Sequence, residues 1–304
     1  MSKKTLVFTT LFDSTYLLQG LTLVDSIFAN YPESRIYLAP LDDLSGKEAM
    51  RRYRNNDRVI FDEGLIRENY EAGERNCKNR GEVIFSLKPL LLSKAMNRVD
   101  ALKFFYCDAD LYFFNRFEFG EIQEEVFLSE HIFAPRQSSH SINGKYNAGL
   151  VGFSKSPEAI RCLDWWTLKC KESTRHDPQN GIVGDQKYLE HFSELTSSIR
   201  IVRSSSVNQS VWMLDNNTNV GSGPTFDGQF VSSYHFHRVR PFKLIAKTGI
   251  NQYGKLSCTK DLFNFVYKPY LAKLSENRKL MANDGLKKPS FKLIDLKPFE
   301  WARI

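Results

Sequence analysis

The chain has 304 residues and a mass of 35.2 kDa, which is enough for one large domain or two ordinary ones. Apolar residues make up 42% and charged residues 25% of it, a composition that is typical of globular proteins and excludes disorder or a fibrous repeat for most of the chain. The net charge of +7 and the pI of about 9.0 favour an anionic partner, such as a phosphorylated ligand, an acidic lipid or a nucleic acid.

The sequence contains no apolar stretch long enough to span a bilayer. The short apolar run after Lys3 and Lys4 is interrupted by Asp13 and no cleavage site follows, so we expect no signal peptide. The five cysteines are widely spaced and none forms a Cys-x-x-Cys motif, which indicates neither a disulfide framework nor a thiolate zinc site. We therefore expect a cytoplasmic protein.

The first half of the chain predicts strands that alternate with helices. Residues 5–10 form an apolar, β-branched run typical of a buried strand, and apolar residues at helical spacing follow from Leu17 to Phe28. Further predicted elements are strands at 35–39, 58–61 and 101–106, a helix with a capping box at Ser45 and Glu48, and a helix at 85–96, whereas residues 66–82 have no pattern. This alternation predicts an α/β protein with a mostly parallel sheet that is covered by helices and binds ligands at the carboxyl ends of its strands.

The second half of the chain is less regular. Strands are predicted near 132–134, 150–153, 199–202 and 230–236, and a helix at Ser156 and Pro157. Residues 215–228 are rich in Asn, Gly, Ser and Thr and form a loop long enough to be a lid. From Asp261 onward aromatic and basic residues are mixed; such a segment either lies among anionic lipid headgroups or forms a helix that packs across the domain with a solvated basic face.

Two carboxylates, Asp108 and Asp110, follow the predicted strand at 101–106 and have aromatic residues on both sides. A bare Asp-x-Asp occurs often by chance, but carboxylates in apolar surroundings are costly to desolvate unless they are paired with a cation. Two carboxylates at this spacing can reach one ion, and hard divalent metals bind such oxygens together with phosphate. The sequence predicts a divalent metal site here, and a solvated turn remains the alternative.

With these residues in view, the chain resembles the glycosyltransferases of the GT-A fold and, more loosely, the retaining transferases of family eight. The resemblance covers most of residues 5–243 and depends on the order of short segments along the chain. These segments are 9–12, 86–89, 108–110, 146–150, 184–189 and 234–237. It implies a Rossmann-like, mostly parallel mixed sheet in a nucleotide-sugar-binding and catalytic domain at 1–255, followed by a helical, basic segment at 256–304.

The resemblance also implies a metal site. Asp108 and Asp110 would hold Mn²⁺ or Mg²⁺ against the diphosphate of a nucleotide sugar, where the metal neutralises charge on the leaving group. A late histidine would be a further ligand, and His235 and His237 lie on the same face of a predicted strand, so either could serve. An imidazole beside carboxylates suits Mn²⁺ better than Mg²⁺. Two solvent-facing histidines on an edge strand remain the alternative.

Further residues match the family's donor-binding positions. Thr9, Thr10, Phe12 and Tyr16 would surround the nucleobase, with stacking by the rings, and Lys88 would face the donor. Alternatively, the rings belong to the core and the lysine is solvated.

Three further features would contact the donor sugar and its phosphates. Asn147 would bond the donor sugar and Ala148 would leave room for it, unless this segment is an ordinary turn. The family usually continues as His-x-x-Gly-x-x-Lys-Pro, whereas His235 here leads to Arg238 and then to Arg240 and Pro241. The departure leaves the metal ligand open, but Arg238, Arg240 and Lys243 could still contact phosphate.

Asp185 and Gln186 match the pair that in the family lies near the anomeric carbon, where chemistry occurs. If the likeness holds, the configuration is retained; otherwise Asp185 is the base of an inverting displacement. A structural alternative is that Asp185 only caps a helix.

We therefore expect a metal-dependent glycosyltransferase that transfers a hexose from a UDP-linked sugar to a bacterial surface glycan such as lipopolysaccharide. A lipid-linked acceptor would explain the basic charge, and it would bring the protein to the inner face of the membrane through its tail. A nucleotidyltransferase is a second possibility, but residues 9–16 lack the glycines and lysine of its phosphate loop. A nucleic-acid-binding protein is a third, but the basic residues are dispersed and no nucleic acid is expected.

Overall fold

The computed structural model describes residues 5–62, 64–74, 79–203, 206–242, 245–281 and 299–303. Over these residues the chain is an α/β protein, as predicted. Its helices are α1 Leu17–Asn30, α2 Asp43–Tyr53, α3 Leu65–Glu74, α4 Arg80–Arg98, α5 Pro157–Glu172, α6 Phe192–Leu195, α7 Thr259–Leu262 and α8 Lys268–Leu280. Its longer strands are β1 Leu6–Phe12, β2 Arg35–Pro40, β3 Val59–Phe61, β4 Lys103–Cys107, β5 Leu111–Phe113, β6 Val126–Glu130 and β7 Tyr146–Ser154.

The remaining strands are short. They are β8 His176–Asp177, β9 Ile182–Val183, β10 Ile199–Val202, β11 Gln209–Ser210, β12 Val220–Gly221, β13 Thr225–Phe226, β14 Gln229–Phe230, β15 Ser233–His235, β16 Arg240–Pro241, β17 Ile245–Lys247 and β18 Trp301–Arg303. Tight 3₁₀ turns lie at Phe119–Glu121, Pro135–Asn143, Pro178–Asn180, Lys187–His191 and Val211–Met213, and a π-helical turn, Phe263–Tyr267, joins α7 to α8.

A seven-stranded sheet with the order β10-β6-β7-β4-β1-β2-β3 forms the centre of the molecule. β1 is parallel to β2 and β4, β2 to β3, and β10 to β6, whereas β7 is antiparallel to β4 and β6. The sheet is therefore mixed but mostly parallel, which confirms the predicted fold class. Because β1 lies in the middle of the sheet, it is buried along its whole length.

Helices cover both faces of this sheet because successive side chains of a strand point to opposite sides. Val7 of β1 belongs to one core cluster with Leu91 of α4 and Trp166 of α5. Phe8, the next residue, belongs to the other cluster with Val24 of α1. This arrangement leaves the carboxyl ends of β1 and β4 free to form a site.

The start of α2 differs from the predicted capping box. Asp42, not Ser45, is the N-cap: its side chain accepts a hydrogen bond from the Ser45 backbone N–H at 2.8 Å, and the Ser45 hydroxyl accepts one from the Asp42 N–H at 3.2 Å. Glu48 instead pairs with Arg51. The helix therefore begins three residues earlier than predicted, capped by Asp42, which is as favourable an N-cap as a serine.

Two further predictions about elements were wrong. Residues 66–82, interpreted as having no pattern, contain most of α3 and the start of α4; Ile66 and Tyr70 lie four residues apart and anchor α3 in the core, a helical spacing that the interpretation overlooked. The strand near 132–134 is absent, and β6 ends at Glu130. The backbone N–H of Ala134 donates to the carbonyl of Trp212 at 3.0 Å instead of to a neighbouring strand.

A small sheet with the order β11-β15-β5 lies beside the main sheet and continues from β4. β15 is antiparallel to β5, with His235 opposite Leu111, and β11 is parallel to β15. The predicted strand at 230–236 is therefore divided between β14 and β15. This pairing brings a histidine-bearing strand to the residues that follow β4.

The C-terminal helices pack on the remainder of the protein. Tyr270, Leu271 and Leu274 of α8 are buried in a cluster with Leu18 of α1, and the ring of Tyr270 stacks on Phe236 with 3.7 Å between centroids. The packed-helix interpretation of this segment is therefore favoured over insertion of its rings among lipid headgroups. Within the described part of the chain, no helix combines the length and apolar character that a membrane crossing requires.

Candidate active site

A cleft of about 700 Å³ opens at the carboxyl ends of β1 and β4, where the sequence predicts a ligand site. Most of the predicted site residues line it. They are Phe12, Tyr16, Lys88, Asp108, Asp110, Asn147, Ala148, Asp185, Gln186, His235, His237 and Arg238.

The structure does not bring two predicted residues to the cleft, and a third lies outside the residues that it describes. Thr9 and Thr10 are fully buried in β1, since the centre of the sheet is covered on both faces, and neither lines the cleft. Lys243 lies outside the described residues. The suggested lid also differs from expectation: none of the cleft-lining residues comes from 215–228, where β12 and β13 lie and where Asn216 accepts hydrogen bonds from Ser257.

Asp110, His235 and His237 form a cluster that could hold a metal ion, with their ligand atoms all within 4.8 Å of one another. The pairing of β15 with β5 produces it, because the Phe236 N–H donates to the carbonyl of Asp110 at 2.8 Å. Asp110 Oδ1 lies 3.1 Å from Nε2 of His235. His235 and His237 are both on the cleft side of the strand, as their spacing predicts.

Asp108 faces away from this cluster and towards Lys88. Its carboxylate lies 3.0 Å from Nζ of Lys88 and accepts a hydrogen bond from the Tyr106 hydroxyl at 2.9 Å. The two carboxylates of the motif therefore have different partners, although the sequence predicts that they reach one ion together.

Lys88 lies between two carboxylates, since Asp185 Oδ2 is 3.3 Å from the same Nζ. The side chains of Lys88 and Asp185 are each 3% exposed. Burial opposes a charge on the lysine, but the two carboxylates outweigh it and raise the pKa of Lys88 above its ordinary value. Burial, together with Asp108, raises the pKa of Asp185 to about 6, although Lys88 acts in the opposite direction. Lys88 is therefore charged and held by two ion pairs, and its side chain is not solvated.

Burial also sets the protonation of the histidines. It lowers the pKa of His237 to about 4, and that of His131 to about 3 with the help of His235 and His237. Both rings are therefore neutral at pH 7 and offer a lone pair. Burial opposes the charge on both Asp110 and His235, but their mutual attraction outweighs it: the pKa of Asp110 falls below its usual range and that of His235 rises.

Gln186 is fixed by three hydrogen-bond partners. Its Nε2 lies 3.0 Å from Nδ1 of His131 and donates to the carbonyl of Asn143 at 2.9 Å, and its Oε1 accepts from the Ala148 N–H at 3.3 Å. The segment after it is a 3₁₀ turn, and the side chain of Asp185 bonds Lys88 instead of capping this turn. The capping interpretation of Asp185 is therefore not supported.

One end of the cleft is cationic. The guanidinium of Arg240 lies 4.6 Å from the ring centroid of Tyr16, and that of Arg80 lies 5.9 Å from it. Arg80 also forms an ion pair with Asp13. Arg238 is exposed at the rim and has a left-handed backbone with φ of 60°.

Aromatic rings line another part of the cleft, next to Gln186. The His131 ring lies 4.2 Å from that of Phe133 and 5.4 Å from that of Trp212, and Trp212 lies 6.2 Å from Tyr253. Trp212 is buried, whereas Phe133 and Tyr253 are half-buried and present a face to the cleft.

Sequence analysis missed several residues of the site. Tyr106 could have been found, because it lies at the end of β4 two residues before Asp108, and side chains two apart in extended chain point to the same side. Arg80 lies in the stretch without a pattern, and His131 precedes a strand that does not form. No local signal marks these two residues.

Comparisons of the sequence with known proteins give two partial matches. No protein-family model matches the chain. YfnF of Bacillus subtilis is 27% identical over 184 residues, 55% of this chain and 59% of YfnF, and YfnD of the same organism is 29% identical over 142 residues, 44% of this chain and 46% of YfnD. The chain thus spans about half the length of these two uncharacterized relatives.

Three solved structures give the class of fold. The galactosyltransferase LgtC, in complex with donor and acceptor sugar analogues, matches 93% of this chain and 98% of its own with a TM-score of 0.55 at 12% identity. The bifunctional glycosyltransferase WbbM matches 90% of this chain and 52% of its own (TM-score 0.51, 10% identity). GlyE of Streptococcus pneumoniae matches 94% and 67% (TM-score 0.50, 15% identity). At these identities the likeness concerns the fold, and the chain has the GT-A fold that the sequence resemblance predicted.

Proposed function

We propose that this protein is a metal-dependent glycosyltransferase that transfers a hexose from a nucleoside-diphosphate sugar, UDP-linked in most resembling enzymes, to a glycan. One observation carries the proposal: the cluster of Asp110, His235 and His237 lies in a large cleft at the carboxyl ends of the central strands of a GT-A fold. The names of LgtC, WbbM and GlyE as glycosyltransferases support it.

The cluster fits a divalent transition metal. It offers one carboxylate oxygen and two imidazole nitrogens within 4.8 Å of one another, and this mixed set favours Mn²⁺ over Mg²⁺. When bound, the metal would supply positive charge to the diphosphate that leaves. Asp108, held by Lys88, would be a further ligand only after its carboxylate turns.

The cationic end of the cleft suits a nucleotide diphosphate. The guanidiniums of Arg80 and Arg240 both lie near the ring of Tyr16, so that they can pair with the phosphate oxygens of a nucleotide whose base lies beside this ring. Phe12 is 2% exposed and contributes mainly to the core beneath this end.

The donor sugar would lie between Asn147 and the pair Asp185 and Gln186. Asp185 is 2% exposed, and its Oδ2 pairs with Lys88, which makes it a poor general base. Gln186 presents an amide, which takes no proton. This combination supports retention of configuration over inversion with Asp185 as the base. An active-site glutamine of LgtC was changed to glutamate in one of its structures, which gives a parallel for a glutamine in such a site.

The acceptor would enter along the aromatic part of the cleft. The attacking hydroxyl has to reach the anomeric carbon, so its binding site has to adjoin Gln186, whose amide contacts His131. The half-buried faces of Phe133 and Tyr253 can stack on a sugar ring. A bacterial surface glycan such as lipopolysaccharide, carried on a lipid, is our proposed acceptor, and the net charge of +7 is compatible with peripheral contact with an anionic membrane.

We also propose that the chain divides at residue 255. Residues 1–255 would form the catalytic domain, and 256–304 a C-terminal basic segment that packs on it through α7 and α8.

Calorimetry with UDP and a panel of UDP-sugars, with and without Mn²⁺, tests the proposal. We expect binding that requires Mn²⁺ and is lost in Asp110→Ala and His235→Ala. UDP affinity that is unchanged by chelator and by both substitutions would refute it. Analysis of the released product separates the competing enzyme class, because a glycosyltransferase releases UDP whereas a nucleotidyltransferase releases pyrophosphate.

A further inference from the structure

Asn208 is a buried polar residue that adjoins the proposed metal site without lining the cleft. Its side chain lies between His235 and Asn147, and the residue is 1% exposed. Its backbone has φ of 61°, a left-handed conformation that asparagine adopts at lower cost than most side chains. The Asn208 N–H donates to the Ser233 hydroxyl at 2.9 Å, which ties this turn to β15.

Hydrogen-bond chemistry fixes the orientation of the Asn208 amide. The backbone N–H of Gly149 donates to Oδ1 of Asn147 at 2.8 Å, so this atom has to be an acceptor. The Asn208 atom 3.0 Å from the same oxygen therefore has to be the donor, Nδ2, which also donates to the Ser129 hydroxyl at 2.9 Å. Consequently the carbonyl oxygen of Asn208 is the atom that faces His235.

The orientation of this amide decides which nitrogen of His235 carries the proton. Nδ1 of His235 lies 3.1 Å from Oδ1 of Asn208, and a carbonyl oxygen only accepts, so Nδ1 has to be protonated. In the neutral ring the lone pair is then on Nε2, the atom that faces Asp110 at 3.1 Å. With its Nδ1–H held by an amide, the ring offers Nε2 to a metal, beside the carboxylate of Asp110 in the same cluster; this is the arrangement of a metal-binding histidine.

We propose that Asn208 is the positioning residue of this site: it holds His235 in the tautomer that binds metal through Nε2, and it couples the metal to the donor-sugar segment through Asn147. The inference rests on the proposed function, since it assigns a role at the same site. Gly149 supports the coupling, because a Cβ there would lie 2.7 Å from Asn147 Oδ1 and 2.7 Å from Cε1 of His235. The two side chains therefore pack together without space for another group.

Two variants of Asn208 test its contact with His235 separately from its contact with Asn147. Asn208→Gly tolerates the positive φ and removes the whole amide; we expect Mn²⁺ affinity in the presence of UDP to fall by about 10- to 100-fold. Asn208→Asp keeps an oxygen for His235 but loses the N–H that holds Asn147. We expect it to bind Mn²⁺ at least as well as the wild type and to lose the preference for a UDP-sugar over UDP.

The control is Asn277→Ala, which removes another buried amide, 4% exposed, that donates to Thr22 and accepts from Arg52 outside the cleft. It should lower the melting temperature without a change in Mn²⁺ affinity. A wild-type protein that binds neither Mn²⁺ nor UDP would refute the proposed function. A wild type that binds both, with equal Mn²⁺ affinity in Asn208→Gly, would refute only the role of Asn208.

A measurement on the wild type avoids any effect of substitution on folding. Nitrogen NMR of histidine-labelled protein loaded with diamagnetic Zn²⁺, with His235 assigned by the loss of its signals in His235→Gln, should show the proton on Nδ1. A proton on Nε2 would overturn the inference.

Discussion

Lys88, Asp108 and Asp185 form a buried group with two negative charges and one positive charge. A lone lysine at this depth would lose its proton, but two carboxylates keep it charged, and the excess negative charge makes Asp185 harder to ionise. Asp110 has a separate partner in His235. The two acids of one short motif therefore have distinct electrostatic roles.

The raised pKa of Asp185 predicts a pH-dependent stability. An ordinary, solvated aspartate has a pKa of 3.8, whereas the pKa of Asp185 in the folded protein is about 6. The folded state therefore binds this proton more tightly, and the contribution to stability is lost as the pH rises from about 4 to about 6. We expect the stability of Asp185→Asn relative to the wild type to increase over this range by up to about 3 kcal/mol. Urea denaturation at several pH values measures it, and a constant difference across the range would contradict it.

The different partners of the two acids predict unequal metal effects. Asp110→Ala removes a member of the cluster, so we expect Mn²⁺ affinity in the presence of UDP to fall by about 100-fold or more, and Asp108→Asn to cause a smaller loss. Calorimetry gives both constants. Asp164→Ala, at an exposed position on α5, is the control and should leave the affinity unchanged. Equal losses in the two site variants would show that Asp108 turns to the metal in solution.

Among the secondary-structure elements, β7 and β15 do most to shape the site. β7 starts at Tyr146, so that Asn147 and Gly149 lie in a strand rather than in a turn, and its register with β6 shifts after Leu128. β15 ends at His235, and the extended residues after it place His237 on the same cleft side, while Phe236 between them packs on Tyr270 of α8. The proposed metal ligands and the core packing thus occupy opposite sides of one short segment.

The close approach of β7 to β15 predicts the effect of a single methyl group. Gly149→Ala would place a Cβ 2.7 Å from His235 and from Asn147, so we expect a loss of about 1–3 kcal/mol of stability together with weaker Mn²⁺ binding. Thermal unfolding and calorimetry check the two effects. Gly221→Ala is the matched control, since its nearest neighbour is the side chain of Thr225 at 3.7 Å. Gly149→Ala with wild-type Mn²⁺ affinity would contradict the packing argument.

At the scale of the whole molecule, α7 and α8 pack both on the core and on the segment that carries the histidines. α8 packs against α1, and residues on both sides of position 255 share one cluster. The exposed cations of α8 are solvated or form ion pairs. Nζ of Lys273, for example, lies 2.8 Å from Oε2 of Glu276. The apolar side of this segment is therefore already occupied by the protein.

This packing predicts that the tail contributes to stability. Tyr270→Ala would remove a fully buried ring stacked on Phe236, and we expect a loss of about 3–5 kcal/mol in urea denaturation. Leu280→Ala, on the same helix but 58% exposed, should change stability little. If the two variants were equally stable, α8 would not belong to the folded core.

Local patterns were enough to predict much of the fold. Apolar spacing predicted α1, because burial on one face leaves its period in the sequence, and the strands at 35–39 and 58–61 were predicted as short segments between helices. The same-face positions of His235 and His237 followed from the two-residue repeat of a strand. The order of short motifs predicted the GT-A fold, since the segments that reach the carboxyl edge of the sheet follow one another in a fixed order along the chain.

The partners of the polar groups depended on contacts between distant segments. Asp108 and Asp110 are equivalent in sequence, yet one faces Lys88 of α4 and the other His235 of β15. Asn208 and Arg80 enter the site only because strands and helices from separate parts of the chain pack there. Periodicity records which side of an element is buried, whereas hydrogen bonds and ion pairs depend on register and packing, which exist only once the chain has folded.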